Sequence, residues 1–304
     1  MSEIPPPLLQ PSPGEQGLAT TDPLALVATT LAAWDLFIEF TSGVDPAMPV
    51  RKRSAGEAVA EMGTWPGSRT LDDMLTDARA GRVGEPTPGS APEIPARPTS
   101  AELTAALRRS RDSLARWLES DPDWSAESLL PTPTALGPLP LLTAIHGAAY
   151  PMALISLDLA AVVGEAPADL LDAGLNALVD TTGAFAARAG VAASITARVP
   201  GRQIGTGAAD GSWCTRDVSE ADPQAAGPAV IADVATVLTV TAGRADVAGL
   251  YRSGSLRLHD VSGLLNWVPV VETVPGLPGG AALARAGRYL GTVTTLLSKL
   301  PFGR

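Results

Sequence analysis

The chain has 304 residues, 45% of them hydrophobic and 18% charged, with a net charge of −10 from 22 basic and 32 acidic side chains. One cysteine and two histidines exclude a zinc finger, a disulfide framework and a three-histidine metal site. The arginines are scattered along an acidic chain, without the concentrated basic face that nucleic acid requires, so no nucleic-acid partner is expected.

Residues 1–21 hold five prolines and little that can pack, which predicts a disordered or loosely attached arm. The start MSEIPPPLLQPSPGEQ has neither a basic nor an apolar signal region, and the expected location is cytoplasmic. A helix then begins at Asp22, an N-cap, with Pro23 at the first helical position. Leu24, Val27, Leu31, Trp34 and Ile38 give it one apolar stripe. Ser54 and Glu57 form a capping box for a second helix through Met62, and Thr70 caps a third over 71–79.

Residues 81–98, with five prolines and three glycines, read as an extended linker inside the first domain. Thr99 and Glu102 make another capping box, opening a helix to about Glu119. The segment from Leu141 to Val163 is the most apolar. It carries His146, Pro151 and Asp158, which suits a buried core helix bent near Pro151 better than a membrane span. Asp158 needs a partner in such surroundings, an arginine or a helix N-terminus.

After a helix over about 168–189 the period changes. Strands are expected over 194–199, 212–218, 229–234 and 255–259, with a helix over 235–242 and a helical return over 261–268. The stretch Gly201 to Gly211 reads as a glycine-rich connection. It lacks dinucleotide-fingerprint spacing and a following helix, so it is no phosphate loop. Cys214 reads as a buried strand cysteine. The tail, 279–304, reads as an amphipathic basic helix that packs on the second domain, closes over a pocket, or mediates a homodimer or a membrane-surface contact. The domain boundary is placed near residue 168.

The segment LLTAIHGAAYPMALISLDLA, the helix with Trp34, and SAGEAVAEMGTWP resemble the DinB-like bundle of the mycothiol-dependent maleylpyruvate isomerase family. The runs GPAVIADVATVLTVTAGRADV and GSLRLHDVSGLLNWV resemble that family's C-terminal SCP2-like domain. The resemblance implies a multidomain α and α+β fold, a DinB-like four-helix bundle over 22–167 followed by an SCP2-like α+β domain over 168–278. It also implies thiol-dependent isomerase or S-transferase chemistry, with mycothiol as cofactor and a divalent metal held by two histidines and a carboxylate. At the matching positions this chain has Glu61, Pro151 and Ile155, so the metal site is read as lost, no metal ligand is assigned, and no cofactor is expected beyond the mycothiol that the resemblance allows.

The expected function is therefore that of a metal-site-degenerate relative. It would bind a small, partly apolar ligand between the bundle and the second domain, or a low-molecular-weight thiol. A thiol-dependent enzyme with a rebuilt site is the alternative, its candidate catalytic residues His146, Glu61 and Tyr150; a structural or interaction protein is a third. His146 either binds a metal or acts as a base in a relocated site with Glu61 or Tyr150, or is a core histidine bonded to its surroundings.

Overall fold

The structure is a computed structural model, and it describes residues 9–83, 91–134, 137–219, 227–267 and 269–270. The proposed tail helix over 279–304 lies outside the described residues. The chain divides into two compact units: a helical unit, Glu15–Ala184, and an α+β unit built from both ends of the chain, 1–14 and 185–304.

The helical unit opens with a single turn, α1 (Leu18–Thr21), and then α2 (Pro23–Thr41). The Asp22 side chain accepts from the Ala25 N–H, and Pro23 occupies the first turn, as their order along the chain predicts. A hairpin of β1 (Pro49–Val50) and β2 (Arg53–Ser54) leads into α3 (Ala55–Ala60) and α4 (Leu71–Arg79). Both of these helices start on capping boxes, Ser54 with Glu57 and Thr70 with Asp73.

Helix α5 (Ser100–Glu119) is capped by the Thr99–Glu102 box and buries Leu103, Leu107, Leu114 and Trp117. Its stripe and its cap are both legible in the sequence, and the cap predicts a measurable effect. Thr99→Ala should lower the stability of the helical unit by about 1 kcal/mol in a denaturant melt, since it strips an N-cap acceptor from an exposed helix end.

A short α6 (Trp124–Glu127) and the pair β3 (Pro131–Thr132) with β4 (Leu139–Pro140) connect to the apolar segment. That segment is two helices, α7 (Leu141–His146) and α8 (Ala149–Val163), joined at Gly147 and Ala148. Pro151 has no N–H to offer the Gly147 carbonyl, and its ring crowds that carbonyl, so the ladder fails one turn ahead of the proline. The Tyr150 N–H approaches the Gly147 carbonyl instead, at 3.2 Å.

Both α2 and the Leu141–Val163 segment are long and apolar enough, by length and composition, to cross a membrane. Here they supply Val27, Phe37, Leu142, Met152 and Leu159 to a shared helical core. Helix α9 (Ala168–Arg188) adds Leu170, Ala173 and Ala177 to the same core. Gly174 lets it approach α8 closely: a Cβ there would lie 2.5 Å from the Ala153 Cβ. The first part of α9 thus packs as a bundle helix, and the units part after Ala184 rather than at 168.

The α+β unit holds a five-stranded mixed sheet in the order β7-β6-β5-β8-β9, made of β5 (Ala193–Val199), β6 (Arg202–Ala209), β7 (Ser212–Asp217), β8 (Ala229–Ile231) and β9 (Arg257–His259). Strand β8 runs parallel to β5, and the other pairs are antiparallel. Helices α10 (Val234–Thr241), α11 (Val247–Ser253) and α12 (Val261–Leu264) complete it.

The stretch read as a glycine-rich connection is strand β6. Of its glycines only the two at its ends, Gly201 and Gly211, have positive φ, and they make turns, the second together with Asp210. Gly205 and Gly207, two apart, lie on one face of the strand and admit the N-terminal segment. A Cβ at Gly207 would sit 1.8 Å from the Leu9 carbonyl oxygen, and one at Gly205 would sit 2.5 Å from Leu9 Cδ1.

Part of the arm expected to be loose is accordingly fixed. Leu9 is 1% exposed and packs with Cys214 and Val218. Arg216 donates to the Gln10 carbonyl at 3.2 Å, and the Gly14 N–H donates to Ser212 Oγ at 3.0 Å. Residues 1–8 lie outside the described residues.

Candidate functional site

His146 ends α7 in the helical core and is 1% exposed. Its Nδ1 lies 2.9 Å from Thr30 Oγ1, and the Thr30 hydroxyl lies 2.7 Å from the Leu26 carbonyl. A hydroxyl has one hydrogen to give. With that hydrogen on the Leu26 carbonyl, Thr30 accepts from His146, which places the imidazole proton on Nδ1. Nε2 then carries a bare lone pair, buried and without a hydrogen-bond partner among the described residues. Burial pushes the His146 pKa down to about 4, so the ring is neutral near pH 7.

A second buried polar contact lies nearby in sequence. Asp180 of α9 is 1% exposed and accepts from the Leu18 N–H at 3.0 Å and from the Thr143 hydroxyl at 3.4 Å. It ties the first turn of the unit to α7 and α9. Nothing in the periodicity marks Thr30 or Asp180 as partners. The available signal is a polar residue on an otherwise apolar stripe, which says that a partner must exist but not which one.

Glu61 follows α3 and is exposed, in an ion pair with Arg53. Glu57 is committed to the Ser54 capping box, whose backbone and side-chain hydrogen bonds hold its carboxyl below the ordinary range. Tyr150 is half-buried near the start of α8. His146 makes no hydrogen bond to Glu61 or Tyr150, so the three candidate catalytic residues are not joined. Asp158 has an arginine partner: its Oδ1 lies 3.3 Å from Arg51 Nη1.

The residues present do not fit the metal that the resemblance implies. Ile155 and Pro151 carry no donor atom, and Glu61 is turned to Arg53 at the surface. Among the described residues, no three His, Cys, Asp or Glu side chains come together as a metal site. Cys214 is a buried thiol on β7, under Leu9.

An open cleft of about 1370 Å³ lies wholly within the α+β unit, at the end of the sheet where β5 turns into β6. One cross-strand row lines it. Gln203 of β6 pairs with Arg198 of β5, Arg198 with Ile231 of β8, and Ile231 with Arg257 of β9. Residues in one such row share a face of the sheet. By the alternation along β6, this is also the face on which Gly205 and Gly207 receive Leu9. Val218 both packs against Leu9 and lines the cleft.

No family model and no curated protein matches the sequence. Among solved structures, the chain is similar to a mycothiol-dependent maleylpyruvate isomerase. The match covers 81% of this chain and 96% of that one, with a TM-score of 0.47 and 14% identity. A histidine-to-alanine mutant of that enzyme matches over the same shares, with a TM-score of 0.45 and 14% identity. A UbiJ-SCP2 ubiquinone synthesis protein matches over 41% of this chain and 98% of its own, with a TM-score of 0.24 and 22% identity. At these TM-scores and identities the likeness says nothing of this chain's chemistry.

Proposed function

We propose that the protein binds a small, partly apolar organic molecule in the cleft of the α+β unit, and that the bundle residues at the implied metal positions hold no metal. The observation that carries this reading is the cleft itself. Apolar side chains (Val199, Val218, Ile231) line it together with a few polar ones (Arg198, Gln203, Arg257), the mixture that orients a small ligand while burying its apolar part. The metal-free part rests on His146, whose Nδ1 is spent on Thr30 and whose ring has no carboxylate or second histidine bonded to it.

The test is native mass spectrometry of the purified full-length chain, together with elemental analysis. The expected result is a small organic molecule released on denaturation, or taken up from a library of amphipathic small molecules, with no stoichiometric divalent metal. A stoichiometric metal would overturn the metal-free part of the reading. A chain that releases nothing and takes up no member of the library would overturn the binding part.

A further inference from the structure

The cleft has a charge pattern that the general reading does not use. Its two carboxylates are already engaged: Asp217 Oδ1 lies 2.7 Å from Arg202 Nε, and Asp233 Oδ1 accepts the Thr236 N–H at 2.6 Å as the N-cap of α10. The Arg257 side chain, exposed on the edge strand β9, makes no ion pair or hydrogen bond with any described residue. Arg198 stands two strands away in the same row, with Ile231 between them. Neighbouring strands are spaced by about 4.8 Å, so the two arginine backbones lie roughly 10 Å apart on one face. The Arg257 guanidinium can take an oxyanion in a charge-assisted contact, and Arg198 adds a second positive charge on the same face.

Beside them, the Gln203 Oε1 is buried without a hydrogen-bond partner among the described residues, an acceptor waiting for a donor. Ile231 and Val218 supply apolar floor in the same cleft. In a chain with a net charge of −10, the described lining of this cleft carries three arginines against two carboxylates, a balance that favours anions here.

We propose that this row is the binding site of a small organic oxyanion, a carboxylate or a phosphate ester. Its charged end meets Arg257 and Arg198, its apolar body rests on Ile231 and Val218, and a hydroxyl beside the charge donates to Gln203. This assignment rests on the reading of the cleft as a small-molecule site and adds the ligand's charge and polarity to it.

The experiment is calorimetric titration of the full chain with octanoate, 2-hydroxyoctanoate, octyl phosphate, octanamide and inorganic phosphate, repeated on Arg257→Gln and Gln203→Leu. Arg257 is exposed and its replacement keeps a polar side chain, so the variant should fold; circular dichroism checks that it does. Octanoate or octyl phosphate is expected to bind at least about tenfold more tightly than octanamide, and Arg257→Gln should remove that advantage, as the loss of a charge-assisted contact does. Whichever of the two binds better identifies the oxyanion. The wild type should prefer 2-hydroxyoctanoate over octanoate, and Gln203→Leu should abolish that preference.

Octanamide binding as tightly as octanoate and octyl phosphate would overturn the oxyanion assignment while leaving the small-molecule reading intact. So would indifference of anion binding to Arg257→Gln. Tight binding of inorganic phosphate alone would overturn the apolar part. Failure of every organic probe to bind would overturn both readings.

Discussion

Leu9→Ala should cost the α+β unit about 3 kcal/mol of stability, within the range for a fully buried leucine cut back to its Cβ. The size is unexpected for a residue in a proline-rich N-terminal segment. It follows from where Leu9 lies. The side chain closes a small cluster with Cys214 and Val218 on the sheet, and its backbone crosses β6 where two glycines leave no side chain in the way. Removing the side chain leaves a hole under a strand of backbone that cannot collapse into it without losing the Gln10 and Gly14 hydrogen bonds.

The counterpart is Gly207→Ala. Its new Cβ would overlap the Leu9 carbonyl, backbone rather than a flexible tip, so the segment must lift off and take Leu9 out of the cluster. Each variant alone should therefore lower the melting temperature substantially, and the double variant should fall little below Gly207→Ala. Neighbours that fail together are non-additive. Denaturant melts of the three variants check this. Full additivity would show that Leu9 is not held over β6. Cys214 gives an independent readout, because its thiol is buried beneath Leu9 and should react faster with a thiol reagent in either single variant.

The same pair of glycines shows where sequence reasoning stops. Local signals carried the helices well: the Thr99–Glu102 box and the spacing of Leu103, Leu107, Leu114 and Trp117 define α5 at both ends. They act within a few residues, as caps and stripes do. Strand β6 was hidden because glycine is usually a weak strand former, and only a segment almost two hundred positions earlier explains why it is glycine here. The division between the units was hidden for a similar reason. Helix α9 is continuous to Arg188, and no break in pattern marks the point at which its packing partners change.

The functional residues divide along the same line. His146 was conspicuous as a histidine in an apolar helix, and Asp158 as a carboxylate needing a cation. Their partners, Thr30 and Arg51, lie more than one hundred residues away and were found only in the fold. The cleft row was invisible as well. Arg198, Ile231 and Arg257 become neighbours only through the register of three strands, one of which pairs in parallel across a long connection.

His146 should make the helical unit sensitive to acid in a window of its own. In the unfolded chain its imidazole takes up a proton as the pH falls below about 6.5, while in the folded chain burial delays that until about 4. Between those values the unfolded state binds more protons, so stability falls as the pH is lowered and levels off once the folded form also protonates. The loss over the full window is about 3 kcal/mol for one buried histidine with this shift. The lowered carboxyls (Glu57, Asp73, Glu102 and Asp123 among them) act lower down, because their contribution is lost only as the pH falls through folded pKa values beneath the usual carboxylate range.

His146→Leu isolates the term. It keeps an apolar side chain of similar size in the core, and the Thr30 hydroxyl retains its bond to the Leu26 carbonyl. It also removes the bare Nε2. Denaturant melts followed from pH 7 to pH 4 should show a steady decline for the wild type and a nearly flat profile for His146→Leu in the upper part of that range. Stability at pH 7 should change little, because the loss of the Nδ1 hydrogen bond to Thr30 is offset by removal of the buried, unpartnered Nε2. A wild-type decline that survives in His146→Leu would assign the acid sensitivity to other groups. A flat wild-type profile would mean that the folded protein protonates His146 as readily as the unfolded chain does, which a sealed, neutral ring held by Thr30 cannot do.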